Sequence, residues 1–211
     1  MRVEVYSDVA CPWCRLGTHQ FHRAVEASGA EGDVELVCRP FQLLPDASEE
    51  SRPLMDTVVE LFGREQAEAM LAEMARVGAV EGVEYRFDRA VAVNTLTAHR
   101  LLWFVLREHG AGVQAALATV LFDAYFRDGV NVADHGRLAE LAERVGLGGG
   151  RVRGFLASGE GVAEVREQVA AARRAGVTTV PRFVFENGEV IVGVTGTEAL
   201  GGAIVRGRGV Q

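Results

Sequence analysis

Val3-Glu4-Val5-Tyr6-Ser7-Asp8-Val9-Ala10-Cys11-Pro12-Trp13-Cys14 is the stretch whose reading decides the fold of this chain. Its first part is a short apolar run, and Leu16, Phe21 and Val25 then recur at helical spacing. Two thiols therefore sit where a strand turns into a helix. The start of a helix carries unpaired N–H groups and a partial positive charge, which favour S⁻ over neutral S–H. Thiols in such settings have pKa values well below ~8.5, and the thiolate is the reactive form. Pro12 suits the first helical turn, because the N–H it lacks would be unpaired there anyway. Cys14 comes about one turn later, on the same face and within disulfide reach. The pair reads as a redox couple: Cys11 attacks and Cys14 resolves.

Two other readings stand beside it. Half a zinc site would need two more ligands. The remaining cysteine is Cys38, and His19 and His22 lie further along the same helix without completing a knuckle. A buried structural pair is the other, although a thiol that opens a helix usually lies near the surface. The strand-turn-helix context favours redox chemistry.

At 211 residues the chain has room for one large domain or one domain with an insertion. Its 22 basic residues are all Arg and stand against 29 acidic ones, a net charge of −7. A nucleic-acid binder needs a basic face, so no nucleic-acid partner is expected. No run of 18 or more apolar residues appears, so no membrane span is expected. No signal-peptide pattern precedes the first strand. A cytoplasmic location follows as an expectation, and there a Cys-X-X-Cys is more often catalytic than structural.

Further along, Ser28 to Asp33 reads as a turn and Val34 to Arg39 as a β run ended by Pro40. Cys38 on that run reads as a small buried hydrophobe, with a spare redox thiol as the alternative. Helical spacing then dominates, with Asn94 and Asp134 as N-caps and a break at Gly146 to Gly150. Gly161 to Ala175 reads as a further helix, and Val177 to Glu186 as a strand. Asn187-Gly188 is a strong hairpin signal, Val190 to Val192 the returning strand, and a last helix starts near Thr197. The tail from Gly207 is expected to fray. Pro181 cannot donate to a ladder, and a cis Val180–Pro181 bond at the strand mouth is one way to keep it. That bond is favoured here over a trans proline, since it would offer the Val180 N–H and C=O to a substrate chain.

The fold class expected is α/β, with the element order β-α-β, helices, α-β-β-α. Residues 46–159 read as an all-α helical insertion into a unit formed by residues 1–45 and 160–211.

Several ordered stretches together resemble the DsbA-type branch of the thioredoxin superfamily, and within it the FrnE-like group. That group is related to 2-hydroxychromene-2-carboxylate isomerases and kappa-class glutathione transferases. The resemblance rests on Ser7 to Cys14 with Leu16-Gly17, on Arg39 to Leu43, and on Asn94-Thr95 with Ala98 to Leu101. It continues through Gly176 to Phe185 and Val194 to Gly196, and so covers nearly the whole chain. It implies a thioredoxin-like fold with an all-α helical insertion domain, residues 1–45 and 160–211 being the thioredoxin-like domain, and a thiol–disulfide oxidoreductase or disulfide isomerase. Cys11 would be the exposed nucleophile, Cys14 the resolving thiol and Pro181 the cis-proline beside them. Pro12, Trp13, Val180 and Pro181 would contact substrate. Two positions depart from the pattern. Trp13 stands where DsbA itself has His, and offers the thiolate no charge. Val5 stands where thioredoxin and DsbA carry a buried acid, so that proton-relay position has no occupant unless Asp8 substitutes.

The partners implied are protein or small-molecule thiols and disulfides, and relatives are often dimers, so a homodimer is an expectation. No cofactor is called for, with glutathione entering only as a candidate redox partner. Exchange would run through a mixed disulfide, in the direction set by the reduction potential. A glutathione-dependent isomerase or transferase of the same fold is the alternative. Those relatives use Ser at the nucleophile position, where Cys11 stands. The start of the last helix at Thr195 to Glu198 would suit a glutathione carboxylate. A non-catalytic binding module is the third class. His99 and Arg100 match the family, with capping or core roles expected, while His19 and His22 could tune Cys11 or simply face solvent.

Overall fold

The computed structural model describes residues 1–209. The chain opens with β1 (Arg2–Ser7), α1 (Pro12–Ala27) and β2 (Glu35–Pro40). A helix-rich insertion follows, made of β3 (Arg52–Pro53), α2 (Leu54–Phe62), α3 (Arg64–Val80), β4 (Val91–Ala92), α4 (Leu96–Phe126), α5 (His135–Glu143) and α6 (Gly149–Ala157). Then α7 (Val162–Arg174) leads into β5 (Arg182–Phe185) and β6 (Val190–Val192), and α8 (Thr197–Arg208) closes the chain. This is the thioredoxin-like α/β fold expected from the sequence. The insertion is not wholly helical, because β3 and β4 pair antiparallel over two residues each.

The main sheet has the order β2-β1-β5-β6. β1 is central, parallel to β2 and antiparallel to β5. Its side chains alternate as a half-buried strand requires: Val3, Val5 and Ser7 turn inward. From α1, Leu16, Phe21 and Ala24 are buried, and Phe21 stacks on Phe183 of β5 at 5.4 Å. β2 is an edge strand, so the N–H missing at Pro40 breaks no ladder. Its edge does not stay open. Gln114 of α4 accepts from the Cys38 N–H at 2.9 Å and donates to the Cys38 C=O at 3.0 Å. One buried amide thus satisfies both backbone groups of an edge residue, and α4 docks there. The core is continuous, running from Val3, Cys14 and Phe183 to Leu101, Tyr125 and Leu156.

Local expectations were met unevenly. Asp134 caps α5, accepting from the Arg137 N–H at 2.9 Å. Asn94 does the related job one residue further out, accepting from the Leu96 N–H at 2.8 Å, while Thr95 is the N-cap. α4 runs through the two helices expected there, bent at Gly110, whose φ of 81° and ψ of 177° are not helical. α6 starts inside the glycine run expected to be a break. The strand expected from Val177 is ordered as β5 only from Arg182, after the proline that cannot donate. The hairpin turn is at Asn187-Gly188, with Gly188 at φ 87°. The tail does not fray at Gly207, because α8 continues through Arg208; residues 210–211 lie outside the described residues.

Candidate active site

β1 ends at Ser7, and the chain turns through Asp8, whose C=O accepts from the Cys11 N–H at 3.0 Å. Cys11 is extended, with φ −94° and ψ 113°, and serves as the N-cap of α1, with Pro12 the first helical residue. The Cys11 C=O then accepts from the N–H groups of Cys14 at 3.1 Å and Arg15 at 3.2 Å. That turn brings Cys14 back against Cys11, close enough for the one thiol to act on the other. All three cysteines are free thiols.

Burial corrects one expectation. Cys11 is only 3% exposed and Cys14 0%, while Trp13, at 40%, is the open member of the motif. The nucleophile position is covered rather than exposed because the chain packs around it on both sides of the turn. Tyr85, from the loop after α3, reaches over it and donates its hydroxyl to the Pro12 C=O at 2.7 Å. The Arg15 guanidinium lies 4.9 Å above the Tyr85 ring. Burial pushes the Cys14 thiol well above its ordinary range, reinforced by the Cys11 side chain and opposed by a backbone hydrogen bond from Asp8.

Pro181 arrives at the same place from the other half of the chain. Arg182 pairs with Tyr6, so the residue before it stands beside the end of β1, where the cysteine turn begins. The Val180–Pro181 bond is cis. The Pro181 C=O accepts from the Gly193 N–H at 2.8 Å. Gly17, about one turn beyond Cys14, allows the close approach: a Cβ there would lie 2.7 Å from Pro181 Cγ. Val180 is buried at 7%, and among the described residues its N–H and C=O make no backbone hydrogen bond.

The other motif residues form one network behind the turn. Gln42 donates to Asn94 Oδ1 at 3.0 Å, and Asn94 Nδ2 donates to the C=O groups of Pro45 and Ala47, both at 2.9 Å. Arg173 of α7 donates to the Gln42 C=O at 2.6 Å. The Leu43 N–H donates to Asp8 Oδ2 at 2.7 Å. His99 Nε2 lies 3.3 Å from Asp8 Oδ1. Arg100 has the core role expected, donating to the C=O groups of Ser158 and Glu160. A cavity of about 410 Å³ opens beside Ala10 and Pro12, walled by Leu43, Leu61, Met70 and Tyr125.

Several candidates are not brought to the cavity beside Pro12. His19 and His22 line a separate cleft of about 310 Å³ with Arg15, Asp123 and Arg127. Burial lowers the His22 pKa, and His19 adds to the effect. Cys38 sits against α4, and burial pushes its thiol up to about 12, as a small buried hydrophobe would show. At the start of α8 the Gly196 N–H already donates to Gln20 Oε1 at 3.0 Å. Thr195 and Glu198 line another cleft with Glu189 and Arg206, separate from the cavity beside Pro12. Among the described residues no three His, Cys, Asp or Glu side chains are grouped to hold a metal ion. Sequence reasoning missed Tyr85, for which a lone aromatic in a loop gives no signal, and the pairing of Asp8 with His99.

The family model described as the DSBA-like thioredoxin domain matches residues 2–205. The chain belongs to that family. A probable DsbA oxidoreductase from Streptomyces coelicolor is 32% identical, with a TM-score of 0.87 over 100% of this chain and 91% of that one. At the level of fold, 2-hydroxychromene-2-carboxylate isomerase is similar too: 17% identity, TM-score 0.73, covering 98% of this chain and 95% of that one. So is the cytosolic disulfide reductase DsbM from Pseudomonas aeruginosa, at 18% identity and TM-score 0.70, with both chains covered in full. A second structure of DsbM is with GSH. The DSBA-like match takes in the cysteine turn, the helix-rich insertion and the Pro181 turn together. Among the described residues of this DSBA-like chain no helix is long and apolar enough to cross a membrane.

Proposed function

We propose that this DSBA-like protein is a thiol–disulfide oxidoreductase of the FrnE-like kind, exchanging disulfides through Cys11 and Cys14 as a cytoplasmic reductase or isomerase. The observation that carries the reading is the gathering of Cys11, Cys14 and Pro181 near one end of β1, with Pro181 packed on Gly17 about one turn of α1 beyond Cys14. Cys11 stands at the helix N-cap, where the first amides face an anion. Its thiolate attacks a substrate disulfide, forming a mixed disulfide and releasing one substrate thiolate. Cys14 then attacks Cys11 Sγ, closing the Cys11–Cys14 disulfide and releasing the second. A small thiol of the glutathione class, or a protein dithiol, returns the pair to the reduced state. Trp13 and Pro12 offer the substrate an apolar edge, and Val180 offers an N–H and a C=O to an extended chain beside Pro181. The likeness to DsbM supports the reducing direction and the cytoplasmic setting.

The glutathione-dependent isomerase reading draws on fold likeness alone, and Cys11 stands where those relatives use Ser. Insulin reduction by wild type, Cys11→Ser and Cys14→Ser tests the proposal. Cys11→Ser should lose turnover and Cys14→Ser should accumulate the mixed disulfide. Equal turnover in wild type and Cys11→Ser would sink it. Tight glutathione binding that survives in Cys14→Ser would turn the assignment toward the isomerase.

A further inference from the structure

Two stripes run along α1. Leu16, Phe21 and Ala24 belong to the core. Arg15, Thr18, His19 and His22 form the other, and their i, i+3, i+4, i+7 spacing puts these polar residues on one face. With Phe122 and Asp123 of α4 and residues 82–84 of the loop after α3, that face walls a cleft of about 310 Å³. Ligand pockets span ~300–1,000 Å³, so the cleft suits a small molecule. It shares no wall residue with the cavity beside Pro12.

A helix face turned toward another helix is ordinarily apolar, and this one leaves polar atoms without partners. Thr18 is only 3% exposed, and its Oγ1 is buried and unpaired. His19 Nε2 is buried and unpaired as well. Native proteins seldom leave such atoms unmatched. A hydroxyl and an imidazole N–H are both able to donate to one acceptor placed between them.

The charged groups of the wall answer one another. Asp123 accepts from Arg15 at 2.7 Å and from Arg127 at 3.5 Å. Arg15 also donates to the Glu84 C=O, and Arg127 pairs with Asp128. The Glu84 side chain is exposed and acts on Arg127 through its charge. Two guanidiniums and two carboxylates on the wall thus balance, and the imidazoles of His19 and His22 decide the sign of what binds. Burial and the nearby His19 hold the His22 pKa below its ordinary value. Two protonated rings on one face repel each other, and an anion shared between them removes that repulsion. A metal ion would need a third ligand, and among the described residues no such group of three exists.

We propose that this cleft binds a small, doubly charged oxoanion, held by the Thr18 hydroxyl and the His19 and His22 rings, with Arg15 and Arg127 beside them. The site is separate from the cysteine turn and independent of the thiol chemistry. Binding is non-covalent and draws protons from solution onto the two rings.

The test follows the histidine side chains of the isotope-labelled full-length protein by NMR. Sulfate serves as the tetrahedral probe and oxalate as the dicarboxylate probe, both fully ionised from pH 6 to 8. Either anion should shift His19 and His22 saturably and leave the exposed His109 and His135 in place. The affinity should rise about three- to tenfold for each unit the pH falls, because binding takes up protons. Thr18→Val should weaken binding about tenfold or more, as loss of a hydrogen bond to a charged group does. It should melt no lower than wild type, since the hydroxyl it removes has no partner. His19→Gln should weaken binding and flatten the pH dependence. Tighter sulfate binding identifies a phosphate-type ligand, and tighter oxalate binding a carboxylate one. No saturable shift with either anion up to about 10 mM at pH 6 overturns the site and leaves water as the occupant. Equal shifts at all the histidines, or affinities unchanged in Thr18→Val and His19→Gln, overturn it too. If the variants do not fold, His22 of wild type is titrated with and without sulfate. A titration moved to higher pH supports the site, and an unmoved one overturns it.

Discussion

Gly17→Ala would place a methyl carbon 2.7 Å from Pro181 Cγ, 3.5 Å from Pro181 Cβ and 3.6 Å from Phe183 Cε2. Carbon atoms in good contact lie ~3.5–4.0 Å apart, so α1 and the Pro181 turn must separate by about 0.8 Å or more. The Pro181 ring cannot swing aside as a flexible side chain would. Overpacking of this kind costs about 1–3 kcal/mol. Alanine in a helix interior returns about 0.8–1 kcal/mol relative to glycine. The net loss of stability is about 0–2 kcal/mol, or a fall in Tm of up to roughly 8 °C at this chain length. The effect on turnover is larger. A misplacement near 1 Å at a reacting centre costs on the order of 100-fold, so kcat/KM for disulfide reduction should fall about 10- to 100-fold. Gly112→Ala is the matched control, since Gly112 is exposed on α4 and a Cβ there meets nothing within 4 Å. It should gain about 0.8–1 kcal/mol and keep full activity. Urea unfolding and insulin turnover on the two variants decide the matter. A Gly17→Ala protein as stabilised as Gly112→Ala, with wild-type turnover, would refute the packing argument.

Three further outcomes follow from the burial of the thiols and their surroundings. Cys38, with its thiol pushed up to about 12, should resist alkylation in the native protein near neutral pH and react once urea unfolds it, as mass spectrometry of the labelled chain would show. Cys14 and Cys38 hold their protons more tightly folded than unfolded, so stability is complete below the unfolded thiol range near pH 9 and is lost as pH rises further. Cys38 alone should contribute a loss of about 1.4 kcal/mol per pH unit from there toward about 12. Closing the Cys11–Cys14 disulfide removes the Cys14 share, so urea curves should fall less steeply with pH for the oxidised form than for the reduced form. Equal slopes would contradict the burial assigned to Cys14. Tyr85→Phe removes the hydrogen bond to the Pro12 C=O and should cost about 1 kcal/mol in unfolding experiments.

The amino-acid sequence by itself determined what depends on neighbours along the chain. The strand-to-helix turn at Cys11 to Cys14, the cap at Asp134 and the hairpin at Asn187-Gly188 are set by periodicity and turn chemistry within a few residues. The ordered motifs also placed the chain among DsbA-type proteins, with its helix-rich insertion. Only the tertiary structure decided what depends on segments far apart. It buried Cys11, which a helix-start motif suggests is open, by packing the chain around the turn and laying Tyr85 over Pro12. It paired Asp8 with His99 across 91 residues, and it set Gly17 against Pro181. It also ended the expected Val177 strand short, so that the ladder begins at Arg182. Periodicity records which face of an element is apolar. It does not record which distant element covers that face, and here that choice sets the surroundings of the two thiols.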